Sequence, residues 1–232
     1  NWTEDTDLNT ARSEMGSAGT KSLALAFGGA DPNKSSATES WEAAGVGVGA
    51  WSTASNMNNA RDNLASAGTQ TSALAAGGHT PPGGYSADTE LYNGSNWTED
   101  NNLNEARAKI KGCGATNTAA LAFGGEDPGD SSSGKTETWN GTNWTEVNDV
   151  NSARWGAAAG GTNNTNSLFF GGAVPHPSGQ AASALTEEWN GVSWAETSDL
   201  STARQNLAGA GASNTDCLAF GGYTGTASSP AT

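Results

Sequence analysis

The chain of 232 residues is poor in basic residues and in long apolar runs, and each shortage argues against a class of partner. Five lysines and five arginines stand against 24 acidic residues, which gives a formal net charge of −14. Nucleic acids and anionic membranes both bind basic surfaces, so this balance argues against both as partners. No apolar run approaches the length needed to cross a bilayer, and we expect no membrane insertion.

Residues that carry chemistry are also scarce. The two histidines, His79 and His176, lie in separate proline-flanked loops, and no Cys-His or Ser-His-Asp arrangement follows from the spacing. The two cysteines, Cys113 and Cys217, stand where related segments of the chain carry Ala or Ser, and their spacing is not that of metal ligands. We interpret them as free core thiols, with a disulfide as the alternative. The sequence thus predicts no enzyme, no metal site and no cofactor.

A repeat of about 50 residues runs through the whole chain. Each copy contains an Ala-Arg pair, and successive arginines are 49, 46, 47 and 50 residues apart. A period of this length is typical of stacked or radially arranged units. The arginines are Arg12, Arg61, Arg107, Arg154 and Arg204, and no other arginine occurs. We predict one domain over residues 1–232, with units at about 2–50, 51–96, 97–143, 144–193 and 194–232.

The copies share one order of signature residues. A Trp opens the unit, and after the arginine come a Leu-Ala-Phe-Gly-Gly segment and a Thr-Glu-x-Trp or Thr-Glu-x-Tyr segment. The apolar stretches are short and lack a helical period, so they predict about four antiparallel strands per unit. Asn-Gly pairs beginning at Asn93, Asn140 and Asn190 predict tight hairpins, because both residues tolerate positive φ. The recurring aromatics are interpreted as packing between sheets: Trp2, Trp51, Trp97, Trp144, Trp194, Trp41, Trp139, Trp189 and Tyr92.

The fourth copy shows the pattern most clearly, in Phe170-Gly171-Gly172, in Thr186-Glu187-Glu188-Trp189-Asn190-Gly191 and in Trp194. A four-stranded unit with Gly-Gly after its second strand and a Trp opening its fourth resembles the kelch repeat of galactose-oxidase-type β-propellers. The resemblance covers nearly the whole chain and implies an all-β propeller of five four-stranded blades, closed by the N-terminal strand. It implies no particular chemistry, because propellers host enzymes, lectins and scaffolds alike.

The sequence departs from the kelch pattern at several positions. Ala76 replaces the Phe before Gly-Gly in the second copy, and residues 42–47 replace the Asn-Gly hairpin in the first. No Thr-Glu-x-Trp segment follows Gly222, so either the tail supplies an atypical third strand or the chain is part of a longer one. Typical kelch propellers have six or seven blades, whereas five copies are visible here. The matching region also lacks the Tyr and His cluster that would hold the copper of galactose oxidase.

A repeated glutamate accompanies the repeated arginine. The copies with a complete third strand carry it at Glu39, Glu90, Glu137 and Glu187. We interpret the arginines and glutamates as ion pairs within or between blades, since a residue present in every repeat is expected to have a structural role common to all repeats. The alternative is a ring of five guanidiniums that binds a sulfate, carboxylate or phosphate.

Ligand binding is expected where the copies differ. The loop after Gly-Gly varies in length and composition, and Trp155 follows its arginine where other copies carry Ser, Asp, Ala or Gln. In a four-stranded meander, these loops and the segments that enter each unit leave on the same side, so we predict that they share one face. Variable loops on a rigid frame commonly form recognition surfaces. The candidate ligand-binding residues are Asp31, His79, Tyr85, Asp127, Asp130, Trp155, His176 and Tyr223. The acidic loop 126–130 lacks the ligand alternation of a calcium loop and is interpreted as a solvated turn.

Two functions of different classes fit these features. The first is a noncatalytic recognition or adhesion module that binds carbohydrate or another cell-surface ligand through the variable loops. The Asn/Thr/Gly-rich copies resemble kelch-like repeats in structural fibre proteins of marine bacteriophages, which implies an extracellular or virion-surface location and display in several copies. The second is a structural assembly or decoration unit that docks to a protein partner or to another copy as a homo-oligomer. A glycan-modifying enzyme is a third class, suggested by the fold alone.

Overall fold

The structure is a computed structural model that describes residues 6–43, 49–176 and 179–225, without the side chains of residues 162, 176 and 179. Within these residues the chain is all-β and contains no helix. The first twelve strands are β1 (Gly16–Gly19), β2 (Leu23–Phe27), β3 (Ala30–Asp31), β4 (Asn33–Lys34), β5 (Thr38–Glu42), β6 (Ala50–Ala54), β7 (Ala65–Thr69), β8 (Ser72–Ala76), β9 (His79–Thr80), β10 (Gly84–Tyr85), β11 (Thr89–Tyr92) and β12 (Trp97–Asp100). The remaining strands are β13 (Lys111–Thr116), β14 (Ala119–Phe123), β15 (Thr136–Trp139), β16 (Trp144–Glu146), β17 (Ala158–Asn163), β18 (Asn166–Phe170), β19 (Ala173–His176), β20 (Gly179–Ala182), β21 (Thr186–Trp189), β22 (Trp194–Glu196), β23 (Ala208–Ser213) and β24 (Asp216–Phe220).

Four repeats each form a four-stranded antiparallel sheet, as the sequence predicts. The sheet orders are β1-β2-β5-β6, β7-β8-β11-β12, β13-β14-β15-β16 and β17-β18-β21-β22. The fifth repeat contributes β23 and β24, which pair as a two-stranded sheet in the described residues. The residues expected to complete it lie at 226–232 and 1–5, outside the described residues.

The first strands of the five repeats lie next to one another in chain order. Strand β1 contacts β7, β7 contacts β13, β13 contacts β17, and β17 contacts β23. These strands approach so closely that small residues are required. A Cβ on Gly112 would lie 2.8 Å from the carbonyl oxygen of Ser66, and one on Gly209 would lie 2.6 Å from that of Ala159. All five strands line one cavity of about 320 Å³.

The hydrophobic core lies between neighbouring sheets, where the recurring tryptophans pack. The indole N–H of Trp97 in the second sheet donates to the Thr38 hydroxyl of the first sheet, at 3.1 Å. Trp144 donates in the same way to Thr89, and Trp194 to Thr136. Each of these three tryptophans is about 5% exposed. This confirms the packing interpretation for them, whereas Trp51 is only half-buried and Trp2 lies outside the described residues.

The predicted Asn-Gly hairpins form, and a backbone hydrogen bond joins the first and last residues of each four-residue connection. Tyr92 pairs with Trp97, so residues 93–96 form the loop. The Asn93 side chain accepts hydrogen bonds from the backbone N–H groups of Ser95 and Asn96, and Gly94 has a φ of 93°. The loops that begin at Asn140 and Asn190 repeat this arrangement. The asparagine therefore acts through its side chain, and glycine supplies the left-handed backbone.

The variable loops after Gly-Gly contain regular structure of their own. Three of them form short hairpins of their own, β3 with β4, β9 with β10, and β19 with β20. A fourth closes through a bridge between Glu126 and Ser132. The variable loops therefore have a defined backbone structure.

Candidate recognition surface

Each variable loop is fixed to the residue that follows its arginine. In the second repeat the Asp62 N–H donates to the His79 carbonyl at 3.2 Å, and the His79 N–H donates back at 2.9 Å. The same bridge joins Ser13 to Ala30, Ala108 to Glu126, Trp155 to Ala173, and Gln205 to Tyr223. The loops and the segments after the arginines therefore lie at the same end of their sheets.

Beneath this surface the arginines form buried ion pairs. The Arg61 Nη2 lies 2.7 Å from Glu90 Oε1, and Nη1 donates to the carbonyl oxygens of Gly77 and Asp88. Glu90 Oε2 in turn accepts the backbone N–H of Asn58. Equivalent pairs are Arg12 with Glu39, Arg107 with Glu137, and Arg154 with Glu187, while Arg204 donates to the Gly221 carbonyl.

These guanidiniums are closed to solvent in the four pairs. Their side chains are 0% exposed, so a dissolved anion does not reach them. Burial lowers the pKa of Arg107, which the charge and hydrogen bond of Glu137 partly offset. The geometry is that of a structural link between the segment entering a sheet and the third strand of that sheet.

Above the ion pairs, side chains that occur in only one repeat form a continuous series of contacts across neighbouring repeats. Its first half starts at Lys34 in the loop of the first repeat, whose Nζ lies 3.3 Å from Asp62 Oδ2. Asp62 Oδ1 lies 3.4 Å from His79 Nδ1. The His79 ring meets the edge of the Tyr85 ring at a centroid distance of 4.8 Å. These four residues join the first repeat to the second.

The second half continues into the third and fourth repeats. The Tyr85 hydroxyl donates to Asp130 Oδ1 at 2.6 Å. Burial and this bond, together with the nearby Glu126, raise the pKa of Tyr85 well above its usual range. Glu126 Oε2 lies 2.8 Å from Lys109 Nζ, which stands 3.9 Å from the centroid of the Trp155 ring. We call the whole set the polar belt, comprising Lys34, Asp62, His79, Tyr85, Asp130, Glu126, Lys109 and Trp155.

Two buried polar atoms, one in the belt and one beside it, have no hydrogen-bond partner among the described residues. The indole N–H of Trp155 is buried, and no acceptor for it is found among the described residues. The Ser132 hydroxyl, beside Glu126 across their bridge, is likewise buried without a partner within the described part of the chain. Buried polar groups are nearly always hydrogen-bonded, so both atoms suit an internal water molecule rather than a ligand from solvent, which does not reach them.

The belt brings together four of the predicted ligand-binding residues, namely His79, Tyr85, Asp130 and Trp155. Asp127 instead shapes its own loop, since its Oδ1 accepts the N–H groups of Gly129 and Ser131. Asp31 is exposed in the β3–β4 hairpin, and Tyr223 is 40% exposed with its hydroxyl bonded to the Gly225 carbonyl. The side chain of His176 lies outside the described residues.

Sequence reasoning missed four members of the belt. They are Lys34, Asp62, Lys109 and Glu126. Lys34 and Lys109 could have been identified from the sequence, because only five lysines occur and these two stand in or beside variable loops.

The thiols lie away from the belt. Cys113 and Cys217 are both free. The Cys113 sulfur lies 2.7 Å from the Ser167 hydroxyl, and burial raises its pKa to about 12. No group of three or more His, Cys, Asp or Glu side chains in the described ranges could hold a metal ion. Those ranges also hold no helix long and apolar enough to span a membrane.

Two comparisons with known proteins give no relative. No protein-family model matches the chain, and no curated protein matches it. The polar belt and its surroundings therefore carry the functional interpretation.

Proposed function

We propose that the protein is a kelch-like β-propeller of five blades. Four sheets of the same strand order and the sequential contacts between all five first strands support this arrangement. A further support is the common cavity, because a central channel lined by the innermost strands is typical of propellers. In this arrangement the N-terminal strand completes the fifth blade.

On this frame the proposed function is noncatalytic recognition, with the polar belt as the surface that binds carbohydrate or another surface ligand. The observation that carries it is the contrast between frame and belt. Arg–Glu pairs and Trp–Thr hydrogen bonds repeat in copy after copy, whereas Lys109 and Trp155 have no counterparts at their positions in the other repeats. Residues that the repeat does not require are thus gathered on one end of the molecule.

The chemistry of the belt favours a polar ligand such as a sugar. Trp155 offers a partly exposed aromatic ring, and the Lys109–Glu126 pair beside it offers both a donor and an acceptor. Binding sites for small ligands commonly combine aromatic surface with a few fixed polar groups. The Lys109–Glu126 ion pair and the contact of Lys109 with Trp155 in the next repeat hold these groups in place, which lowers the entropy lost on binding.

The proposed setting is extracellular or on a virion surface. The charge of −14, the low lysine content and the resemblance to phage fibre repeats support it. Display in several copies would then raise a weak single-site affinity through avidity.

A glycan array tests this function directly. Labelled protein is applied in calcium and again in chelator, beside the variants Trp155→Gln and Val192→Ala. Gln stands at the matching position of the fifth repeat, so the frame accommodates it, and Val192 is an exposed residue of a hairpin at the other end of its sheet. We expect glycan binding that survives chelation, falls at least tenfold in Trp155→Gln and persists in Val192→Ala.

Two outcomes would overturn the proposal. Equal binding by Trp155→Gln and the wild type would remove the belt from the site. The second outcome is that the folded wild type binds no glycan on the array and associates with itself in a concentration-dependent way in sedimentation. This would favour an assembly function in which the same surface docks to protein.

A further inference from the structure

A second cavity, of about 210 Å³, lies where the first strands of the repeats begin. It adjoins the larger cavity lined by the same five strands, and Ser17, Ser66, Gly112, Ala159 and Gly209 line both. The walls of the two cavities are built mainly from glycine, alanine and serine. Among the described residues, the only charged one that lines them is Lys111, the first residue of β13.

Lys111 has no counterpart in the other repeats. The matching position, four residues after the arginine, holds Gly16, Ala65, Ala158 and Ala208. No carboxylate lies within ion-pair distance of its amine in the described residues, although the more distant Glu14 acts on it electrostatically. Burial outweighs that interaction and lowers the pKa of Lys111. Lys111 therefore carries its charge at a cost that the alanine of other repeats avoids.

The remaining lysines show how unusual this is in an acidic protein. Lys34, Lys109 and Lys135 each lie within 3.3 Å of a carboxylate oxygen. Lys21 is exposed in the turn between β1 and β2. Lys111 is thus the lysine, among the residues described, that lines a cavity and has no paired carboxylate.

The walls of the cavity supply further hydrogen-bonding groups. Each first strand pairs with a single neighbour, as β7 does with β8 and β13 with β14, so its other edge faces the adjoining first strand and the cavity. The hydroxyl of Ser66 also lies here and accepts the backbone N–H of Ser17 at 3.4 Å. Backbone edges and a hydroxyl next to an ammonium group form a setting suited to an oxyanion.

We propose that this cavity binds a single oxyanion group, a carboxylate, sulfate or phosphate, through Lys111. The anion neutralises the ammonium group of Lys111 and accepts hydrogen bonds from the adjoining strand edges. The volume accommodates a free inorganic anion or the acidic end of a sugar acid. This site is separate from the polar belt and stands whether or not the belt binds a ligand.

Titration of isotope-labelled protein, followed by the amide resonances of Gly112, Ala158 and Gly209, tests the site. Four probes are used at constant ionic strength, namely sulfate, phosphate, glucuronate and uncharged glucose. The test variant is Lys111→Ala, which restores the residue of three other repeats, and Lys111→Met keeps the apolar stem without the charge. Lys21→Ala removes one positive charge outside the cavity and is the matched control.

We expect saturable shifts with at least one of the three anions and none with glucose. Affinity should fall at least tenfold in Lys111→Ala and Lys111→Met and remain within twofold in Lys21→Ala. Saturation by glucuronate alone would assign the site to a sugar acid, and saturation by sulfate or phosphate alone to an inorganic anion. Absence of saturable shifts with all three anions, or equal affinity in Lys111→Ala, would overturn the proposal.

Discussion

Lys109 stands over the ring of Trp155, with its Nζ 3.9 Å from the ring centroid and 2.8 Å from Glu126 Oε2. The ammonium group thereby connects an aromatic ring of the fourth repeat to a carboxylate in the loop of the third. A cation over an aromatic face contributes about 0.5–2 kcal/mol, depending on how far it is desolvated. The contact thus fixes the orientation of Trp155 before any ligand arrives.

Replacing Trp155 should affect stability far less than replacing a tryptophan of the core. For Trp155→Gln we expect a loss of about 1 kcal/mol in the free energy of unfolding, since the cation–π contact is the main interaction removed. For Trp144→Ala, which empties a buried site between two sheets, we expect about 3–5 kcal/mol. Urea unfolding of both variants measures the difference, and equal losses would make Trp155 part of the frame.

Breaking one buried ion pair should destabilise the protein strongly. Glu90→Gln leaves the guanidinium of Arg61 buried without its carboxylate, and we expect a loss of about 3–5 kcal/mol. Glu146→Gln is the control, because its pair with Lys135 is largely exposed and is worth about 0–1 kcal/mol. Comparable unfolding midpoints for the two variants would contradict a structural role for the repeated pair.

The hydrogen bond between Trp144 and Thr89 should be measurable on its own. Thr89→Val keeps the shape but removes the acceptor for the buried indole N–H, which we expect to cost about 1–3 kcal/mol. In Thr98→Val the lost hydrogen bond is exposed, and the change should stay within about 0.5 kcal/mol. If Thr89→Val unfolds at the same urea concentration as the wild type, the inter-sheet hydrogen bond adds no stability.

The Cys113 thiol should make stability depend on alkaline pH. Burial raises its pKa from 9.0 to about 12, so the unfolded chain loses this proton first as the pH rises. The unfolded state is then favoured, and this contribution to stability falls between about pH 9 and 12. Comparing the wild type with Cys113→Ala in urea at pH 8 and pH 10 isolates the effect. From pH 8 to pH 10 the free energy of unfolding of the wild type should fall relative to that of Cys113→Ala. An unchanged difference between the two proteins would contradict a buried, neutral thiol.

The frame could be predicted from the sequence because its determinants are local and repeated. The apolar stretches ending in Phe27 and Phe123 form the second strands of their sheets, and the glutamates beginning with Glu39 bond to the arginines. The Asn-Gly hairpins were also placed correctly. The hydrogen bonds that the Asn93 side chain accepts from two later backbone N–H groups are not revealed by a dipeptide pattern.

The belt and the Lys111 cavity were only partly predictable. Trp155 stood out because it breaks the repeat, yet its contact with Lys109 depends on how two neighbouring sheets are inclined, which spacing does not specify. Lys111 lies at a position where other copies carry glycine or alanine, but its exposure to a cavity follows from five strands meeting. Contacts between repeats thus required the three-dimensional structure.

The proposed function requires that the loop-bearing end of the molecule recognises the ligand. Masking each end in turn tests this most directly, with a polyethylene glycol chain coupled to Ser131→Cys in a variable loop or to Val192→Cys in a hairpin at the opposite end of its sheet. Both variants also carry Cys217→Ala, because Cys217 is the less buried of the two native thiols. On the glycan array, the proposed function predicts that masking residue 131 abolishes binding and masking residue 192 preserves it. Binding retained with residue 131 masked, or lost only with residue 192 masked, would contradict it.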